Sequence, residues 1–155
     1  MTVELAIGIA AAVVAAVLLF RGGRAATYVR RAILTDSELR FFLRLVDAVG
    51  EGDYVCPQLG MAAALETRCG NAKSALAAFR KISQKRIDFC VCDTRLVPKF
   101  VVELDDHTHD PARDRARDEL LLSAGIRTLR FDVRRMPTTR ELRLAIATAG
   151  QGSTK

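Results

Sequence analysis

Apolar and polar positions follow several patterns along this chain, and each pattern is typical of one kind of element. Residues 5–20, LAIGIAAAVVAAVLLF, contain no charged or hydrogen-bonding side chain, which predicts one continuous apolar helix. RIDFCVCD, at 86–93, alternates apolar and polar positions as a half-buried strand does, and KFVVELD, at 99–105, is a second strand-like run. Other segments repeat apolar residues every three to four positions, as amphipathic helices do.

The segment TDSELRFFLRLVDAVG, at 35–50, illustrates the helical pattern. Thr35 and Glu38 have capping-box spacing, Gly50 is placed to end the helix, and one apolar stripe is formed by Leu39, Phe42, Leu43 and Val46.

The other predicted elements are, in order, a strand over 54–59, one or two short helices over 61–82, the two strands named above paired as a hairpin, a helix over 110–125, a strand over 126–133 and a helix over 138–150. Asp110 and Gly125 are the predicted N-cap and C-cap of the helix over 110–125. Thr138 and Glu141 form a second capping box at the start of the last helix. The order αβ(α)ββαβα predicts an α/β domain in which helices flank a mixed sheet.

The apolar N-terminal helix is predicted to be a transmembrane anchor. Residues 5–20 are short for a hydrocarbon core of ~30 Å, so residues 3–21 are needed for the span. A signal peptide and a buried core helix are the alternatives, but Glu4 stands where a signal peptide carries positive charge. Arginines follow the helix and no Lys or Arg precedes it, which predicts a single-pass protein of the inner membrane, with its N-terminus outside and its soluble domain in the cytoplasm.

The chain is therefore divided into an anchor at 1–22, a basic linker at 23–32, one domain at 33–149 and a disordered tail at 150–155. The formal net charge of +6 suits a partner that is anionic, either lipid or nucleic acid. Four cysteines in a cytoplasmic domain are expected to be reduced thiols. Cys90 and Cys92 are predicted to be buried strand residues, because their spacing is not that of a zinc knuckle.

Acidic side chains stand on both strands of the predicted hairpin. Asp88 lies on the first strand, while Glu103 and Asp105 share a face of the second because side chains repeat every two residues. An unpaired charge is costly in a sheet, so a hard cation is the economical explanation. We expect Mg²⁺ or Mn²⁺ to be held by Asp88 and Glu103, with the backbone carbonyl of Leu104 as a further ligand. His107 and His109 follow, and either could act as a general acid or base.

Taken together, these residues resemble the PD-(D/E)XK, or restriction-endonuclease-like, superfamily. The resemblance rests on Glu38 in the first helix, DF at 88–89, ELDDHTH at 103–109, RARD at 115–118 and AGIRTLRF at 124–131. Within the superfamily the chain is most similar to the domain of unknown function 2726, which has relatives among very-short-patch repair endonucleases. The resemblance covers roughly residues 33–149. It implies a metal-dependent nuclease-like fold with Glu38, Asp88, Glu103 and Asp105 around the metal and His109 as the preferred histidine.

One residue departs from that pattern. The superfamily usually has a lysine two residues after the glutamate, where this chain has Asp105, and that lysine assists the attacking water or the phosphate. His109, Lys85 or Arg117 are candidates to replace its charge. Lys85, Arg117 and Arg130 are also predicted contacts to nucleic acid, although ion pairing on a solvated helix face would equally explain Arg117 and Asp118.

Three functions therefore stay open on these patterns. The first is a membrane-anchored nuclease-like protein that hydrolyses phosphodiester bonds of nucleic acid with Mg²⁺. The second is an inactive module of the same fold that binds nucleic acid or a protein partner at the membrane. The third is a structural membrane protein whose carboxylates merely cap the sheet. For Glu38, the capping box alone is a sufficient explanation.

Overall fold

The structure is a computed structural model that describes residues 2–21, 26–105 and 111–150. The chain forms two compact units, Met1–Arg31 and Ala32–Lys155. The first unit contains helix α1, Thr2–Arg21, so the predicted N-terminal helix is confirmed. Within the described ranges, however, no helix is both long enough and apolar enough to cross a membrane. The predicted anchor at residues 3–21 is therefore not supported.

The second unit is built on a four-stranded sheet in the order β1-β2-β3-β4. Its strands are β1 Tyr54–Gly60, β2 Arg86–Cys92, β3 Pro98–Asp105 and β4 Arg127–Asp132. β1 pairs with β2 and β2 with β3 in antiparallel fashion, while β3 and β4 are parallel. The predicted hairpin and the predicted mixed sheet are both confirmed.

Five α-helices and one short 3-10 helix, Val133–Arg135, accompany the sheet in the described part of this unit. The α-helices are α2 Asp36–Ala48, α3 Met61–Ala64, α4 Ala72–Ile82, α5 Pro111–Ser123 and α6 Thr139–Gly150. The capping box at Thr35 is confirmed, and Thr138 and Glu141 make the same reciprocal hydrogen bonds before α6. Gly125 follows α5 with φ of 77°, a left-handed conformation that glycine adopts without steric cost. The predicted N-cap Asp110 lies outside the described residues.

The hydrophobic core has two halves, one on each face of the sheet. α2 and α6 contribute to the first half, which contains Phe41, Leu45, Leu142 and the side chains of Phe89 and Val102. α3, α4 and α5 contribute to the second half, whose buried members are Met61, Ile82, Ile87, Cys90, Cys92, Val101, Leu121 and Ile126. Full burial of one such large side chain contributes about 1.5–3 kcal/mol. Helices therefore cover both faces, and the predicted burial of Cys90 and Cys92 is confirmed.

The buried face of α2 differs from the predicted stripe. Phe41 and Leu45 are fully buried, whereas Leu39, Leu43 and Val46 are exposed. The predicted stripe was therefore wrong in three of its four members, and only Phe42 packs partly against the core. The physical reason is the aromatic cluster on the sheet. The ring centroids of Phe41 and Phe89 are 5.3 Å apart. Packing of aromatic rings buries more apolar area than burial of the aliphatic side chains would, so the helix turns Phe41 toward the sheet.

Candidate functional site

Four polar residues occupy one row that crosses all four strands. This polar row consists of Gln58 on β1, Asp88 on β2, Glu103 on β3 and Arg130 on β4. Glu103 and Arg130 are partners in the parallel register. Continuing the β2–β3 register by one residue places Asp88 opposite Glu103. Between β1 and β2, Gln58 lies between the pairs Pro57–Phe89 and Leu59–Ile87, which places it opposite Asp88. The sheet therefore brings together the two acidic residues that the sequence predicts as metal ligands.

Glu103 is the most unusual member of the polar row, because it is charged and only 1% exposed. Its Oε2 atom lies 2.9 Å from the Arg117 guanidinium on α5. Its Oε1 atom is buried and has no hydrogen-bond partner among the described residues. Burial, reinforced by the negative charge of Asp88, raises the pKa of Glu103 to about 8, and Arg117 only partly opposes that rise. Without a cation, the site therefore holds a proton at neutral pH.

Asp88 faces Glu103 and is held by the neighbouring strand. Its Oδ2 atom accepts a hydrogen bond of 3.1 Å from the backbone N–H of Leu104. Burial raises the pKa of Asp88, the charge of Glu38 raises it further, and the Leu104 hydrogen bond and Arg117 lower it. The carbonyl of Leu104 stays a predicted ligand.

Glu38 connects the start of α2 to this site. One of its oxygens, Oε2, accepts hydrogen bonds from the backbone N–H and the hydroxyl of Thr35, at 2.6 and 2.7 Å. The other, Oε1, accepts a hydrogen bond of 3.1 Å from the side-chain amide of Gln58. The capping box is therefore real, but it engages only one oxygen, and the second oxygen is held by a member of the polar row.

A second group of charges extends from Arg130, the β4 member of the polar row, and is internally paired. Arg130 reaches both oxygens of Asp105, at 2.8 and 3.0 Å, and both oxygens of Asp118 through Nε and its other terminal nitrogen. Arg117 contacts Asp114 at 3.4 Å in addition to Glu103. Ion pairing within α5 was the alternative explanation for Arg117 and Asp118, and Arg117 does pair with Asp114. The two side chains also pair with the sheet, Arg117 with Glu103 and Asp118 with Arg130.

These ion pairs change three of the predicted roles. Asp105 forms an ion pair with Arg130, so a metal ion would have to compete with this arginine for the Asp105 carboxylate. Arg117 and Arg130, which the sequence predicts to contact nucleic acid, already neutralise carboxylates. Lys85 is half-buried and lines a cavity of about 630 Å³ with Lys81, Leu120 and Ser123, none of which belongs to the polar row. His107 and His109 lie outside the described residues.

The described residues contain no group of three or more His, Cys, Asp or Glu side chains arranged to hold a metal ion. Two carboxylates are nevertheless a sufficient protein contribution for Mg²⁺, which keeps several waters in its coordination shell. The buried Oε1 atom of Glu103, with no partner in the described part of the chain, is an oxygen donor of the type that a hard cation prefers. Asp88 and Glu103 therefore fit such an ion as a pair.

The comparison with known families identifies a family for this chain. The model of the family described as protein of unknown function (DUF2726) matches residues 30–149, which is well over half of the chain. The chain belongs to the DUF2726 family. No curated protein and no solved structure matches it.

Sequence reasoning missed one residue of the site in this DUF2726 domain. Gln58 is uncharged, stands alone in a short strand and matches no motif, so its side chain gave no signal. Its backbone has φ of 52°, which is left-handed and uncommon for a residue with a side chain. The nearby Pro57 indicates only an irregular strand. The hydrogen bond to Glu38 becomes visible only when β1 and α2 are placed side by side.

Proposed function

We propose that this DUF2726 protein is a metal-dependent nuclease-like protein that hydrolyses phosphodiester bonds of nucleic acid, with Mg²⁺ or Mn²⁺ bound by Asp88 and Glu103. The observation that carries the proposal is the buried Oε1 atom of Glu103, which lacks a partner in the described residues and lies in the polar row beside Asp88. The proposal concerns residues 32–155, and attachment of residues 3–21 to a membrane stays a prediction from the sequence.

A buried carboxylate with an unpaired oxygen requires either a proton or a cation. Removal of a charged group from water is costly unless the charge is compensated, and Arg117 engages only one of the two oxygens of Glu103. Asp88 adds a second negative charge to the same row, which increases the attraction for a divalent ion. A divalent cation held by Asp88 and Glu103 would compensate both carboxylates at once.

The protein residues around the pair have separate roles in the proposed reaction. Asp88 and Glu103 bind the ion, Glu38 adds negative charge from α2, and Arg117 keeps Glu103 in place. A bound Mg²⁺ supplies charge neutralisation at the phosphodiester and promotes ionisation of the attacking water. His109 stays a candidate for proton transfer. The resemblance to the PD-(D/E)XK superfamily supports the assignments of Glu38, Asp88 and Glu103, because it implies these three positions around a metal.

A second function is favoured by the pairing of Asp105. The superfamily pattern has a lysine at this position, and here both oxygens of Asp105 are bound by Arg130. A site without that lysine, in which the nearby guanidinium groups of Arg117 and Arg130 pair with carboxylates, suits a catalytically inactive module. Such a module would use the same fold to bind nucleic acid or a protein partner.

The two functions are separated by metal binding and cleavage measured on the full chain. Mn²⁺ binding is followed by calorimetry, and cleavage is assayed on single- and double-stranded DNA and RNA. The variants are Asp88→Ala and Glu103→Gln, and the control is Asp47→Ala, which removes an exposed carboxylate from α2. Binding and cleavage that both variants lose and the control retains support the nuclease. Binding without cleavage supports the inactive module, and a folded protein that binds no Mn²⁺ refutes the metal site.

A further inference from the structure

Gln58 combines three properties that are unusual for a glutamine in a strand. Its backbone is left-handed, with φ of 52°. Its position is opposite Asp88 in the polar row. Its side-chain amide donates to Glu38 Oε1 at 3.1 Å, across 20 positions of sequence. A strained backbone conformation persists only where surrounding contacts hold it, and such residues cluster at functional sites.

The alternation of side chains along β1 is irregular around Gln58. Before Gln58 the strand alternates normally, with Val55 packed against the first half of the core and Cys56 against the second. Regular alternation would direct Leu59 to the same side as Val55, but Leu59 packs with Cys56 against the second half. The pairs on either side of Gln58 keep a constant register, so no extra residue is inserted. Ile87, the β2 partner of Leu59, also packs against the second half. Gln58 lies at this irregular point of the strand, and its side-chain amide reaches Glu38 on α2.

The hydrogen bond from Gln58 completes a two-point attachment of Glu38. Thr35 holds Oε2 through the capping box, and this contact alone leaves the carboxylate free to pivot about Oε2. Gln58 holds the other oxygen and so fixes the carboxylate plane. The hydrogen bond ties Glu38 to Gln58, which is the β1 neighbour of Asp88 in the register of the sheet.

We propose that Gln58 is a positioning residue of the candidate metal site, whose amide fixes the carboxylate of Glu38 beside Asp88. The inference rests on the proposed function, since it assigns Glu38 a part in attracting the cation. Residues that orient the ligands and charges around a metal typically change its affinity by about 10- to 100-fold when they are replaced. We expect a change at the lower end of this range, because Thr35 retains one oxygen of Glu38.

Two variants separate the side chain of Gln58 from its backbone conformation. Gln58→Gly removes the amide and adopts a positive φ more easily than glutamine does. Gln58→Asn also tolerates a left-handed backbone and keeps an amide, but its side chain is one methylene shorter and does not reach Glu38. The matched control is Leu96→Gly, because Leu96 has φ of 59°, is 61% exposed and lies in the turn between β2 and β3.

The experiment on the full chain measures three quantities for each variant. They are the midpoint of thermal unfolding, the affinity for Mn²⁺ by calorimetry, and the rotamer populations of the Glu38 side chain from three-bond NMR couplings. For both Gln58 variants we expect an unchanged or higher unfolding midpoint, roughly tenfold weaker Mn²⁺ binding, and averaging of Glu38 over several rotamers. For Leu96→Gly we expect wild-type Mn²⁺ affinity and a single Glu38 rotamer.

A purely structural role for Gln58 predicts the opposite result. In that case Gln58→Gly would bind Mn²⁺ as the wild type does and Glu38 would keep one rotamer, which would overturn the proposal. The rotamer measurement needs no metal, so it also separates the two hypotheses. If the wild type binds no Mn²⁺ but Glu38 loses its single rotamer in both Gln58 variants, the metal site fails while the attachment of Glu38 by Gln58 stands.

Discussion

The raised pKa of Glu103 predicts a specific dependence of stability on pH. The pKa is about 8 in the folded protein, against an ordinary value of 4.5. Between these two pH values the folded state keeps a proton that the unfolded state has released. The contribution of Glu103 to the free energy of unfolding therefore has its full value below about pH 4.5 and decreases as the pH rises toward about 8. We expect Glu103→Gln, which cannot ionise, to lack this loss.

The size of the effect follows from the pKa difference. One unit corresponds to about 1.4 kcal/mol, so the full difference sets an upper limit of about 5 kcal/mol. Glu103 titrates together with Asp88, and Arg117 stabilises its charged form, so we expect an observed change of about 2–4 kcal/mol. At pH 5 the wild type and Glu103→Gln should have similar stability, whereas at pH 9 the variant should be more stable by this amount.

The assay is urea unfolding followed by circular dichroism from pH 5 to pH 9, with a chelator present. Subtraction of the Glu103→Gln curve from the wild-type curve removes the contributions of all other titrating groups that the two proteins share. A difference that stays constant across this range would refute the argument, since Glu103 would then ionise normally in the folded state. Repetition with excess Mn²⁺ should stabilise the wild type at pH 9 and leave Glu103→Gln unchanged.

Three further predictions concern the metal, the ion pairs and the core. Mn²⁺ affinity measured by calorimetry should increase as the pH rises from 6 to 8, because the cation displaces the proton of the Asp88–Glu103 pair. Arg130→Ala should lower the free energy of urea unfolding by about 1–3 kcal/mol, since the partly buried carboxylates of Asp105 and Asp118 lose the guanidinium they share, and a loss below 0.5 kcal/mol would contradict the pairing. Leu45→Ala should cost about 2–5 kcal/mol in the same assay, whereas Leu43→Ala on the exposed side of α2 should change stability by less than about 0.5 kcal/mol.

The features that the sequence predicted correctly are encoded locally. The capping boxes at Thr35 and Thr138, the glycine that ends α5 and the hairpin strands each depend on residues within a few positions of one another. The proximity of Asp88 to Glu103 belongs to the same class, because the two residues stand on strands joined by a short turn. Strand alternation and hairpin pairing are therefore sufficient to bring these two carboxylates together.

The features that the sequence did not predict depend on how elements rotate against each other. α2 carries two apolar stripes, and only contact with the phenylalanines of the sheet selects Phe41 and Leu45 for burial. α5 carries alternating charges, and only its rotation over the sheet shows that Arg117 faces Glu103. The sequence did not predict the hydrogen bond from Gln58 to Glu38 for a related reason, since Glu38 belongs to a helix 20 positions earlier.

The location of Asp88 and Glu103 on one hairpin bears on the order in which the domain folds. The turn between β2 and β3 is short, so their pairing needs little loop closure and forms early. β4 joins β3 only across the whole of α5, so Arg130 arrives at the row later. An early hairpin therefore brings two carboxylates together before most of their positive partners are in place. Refolding in the presence of Mg²⁺, or at mildly acidic pH, should consequently be faster than refolding at alkaline pH with a chelator.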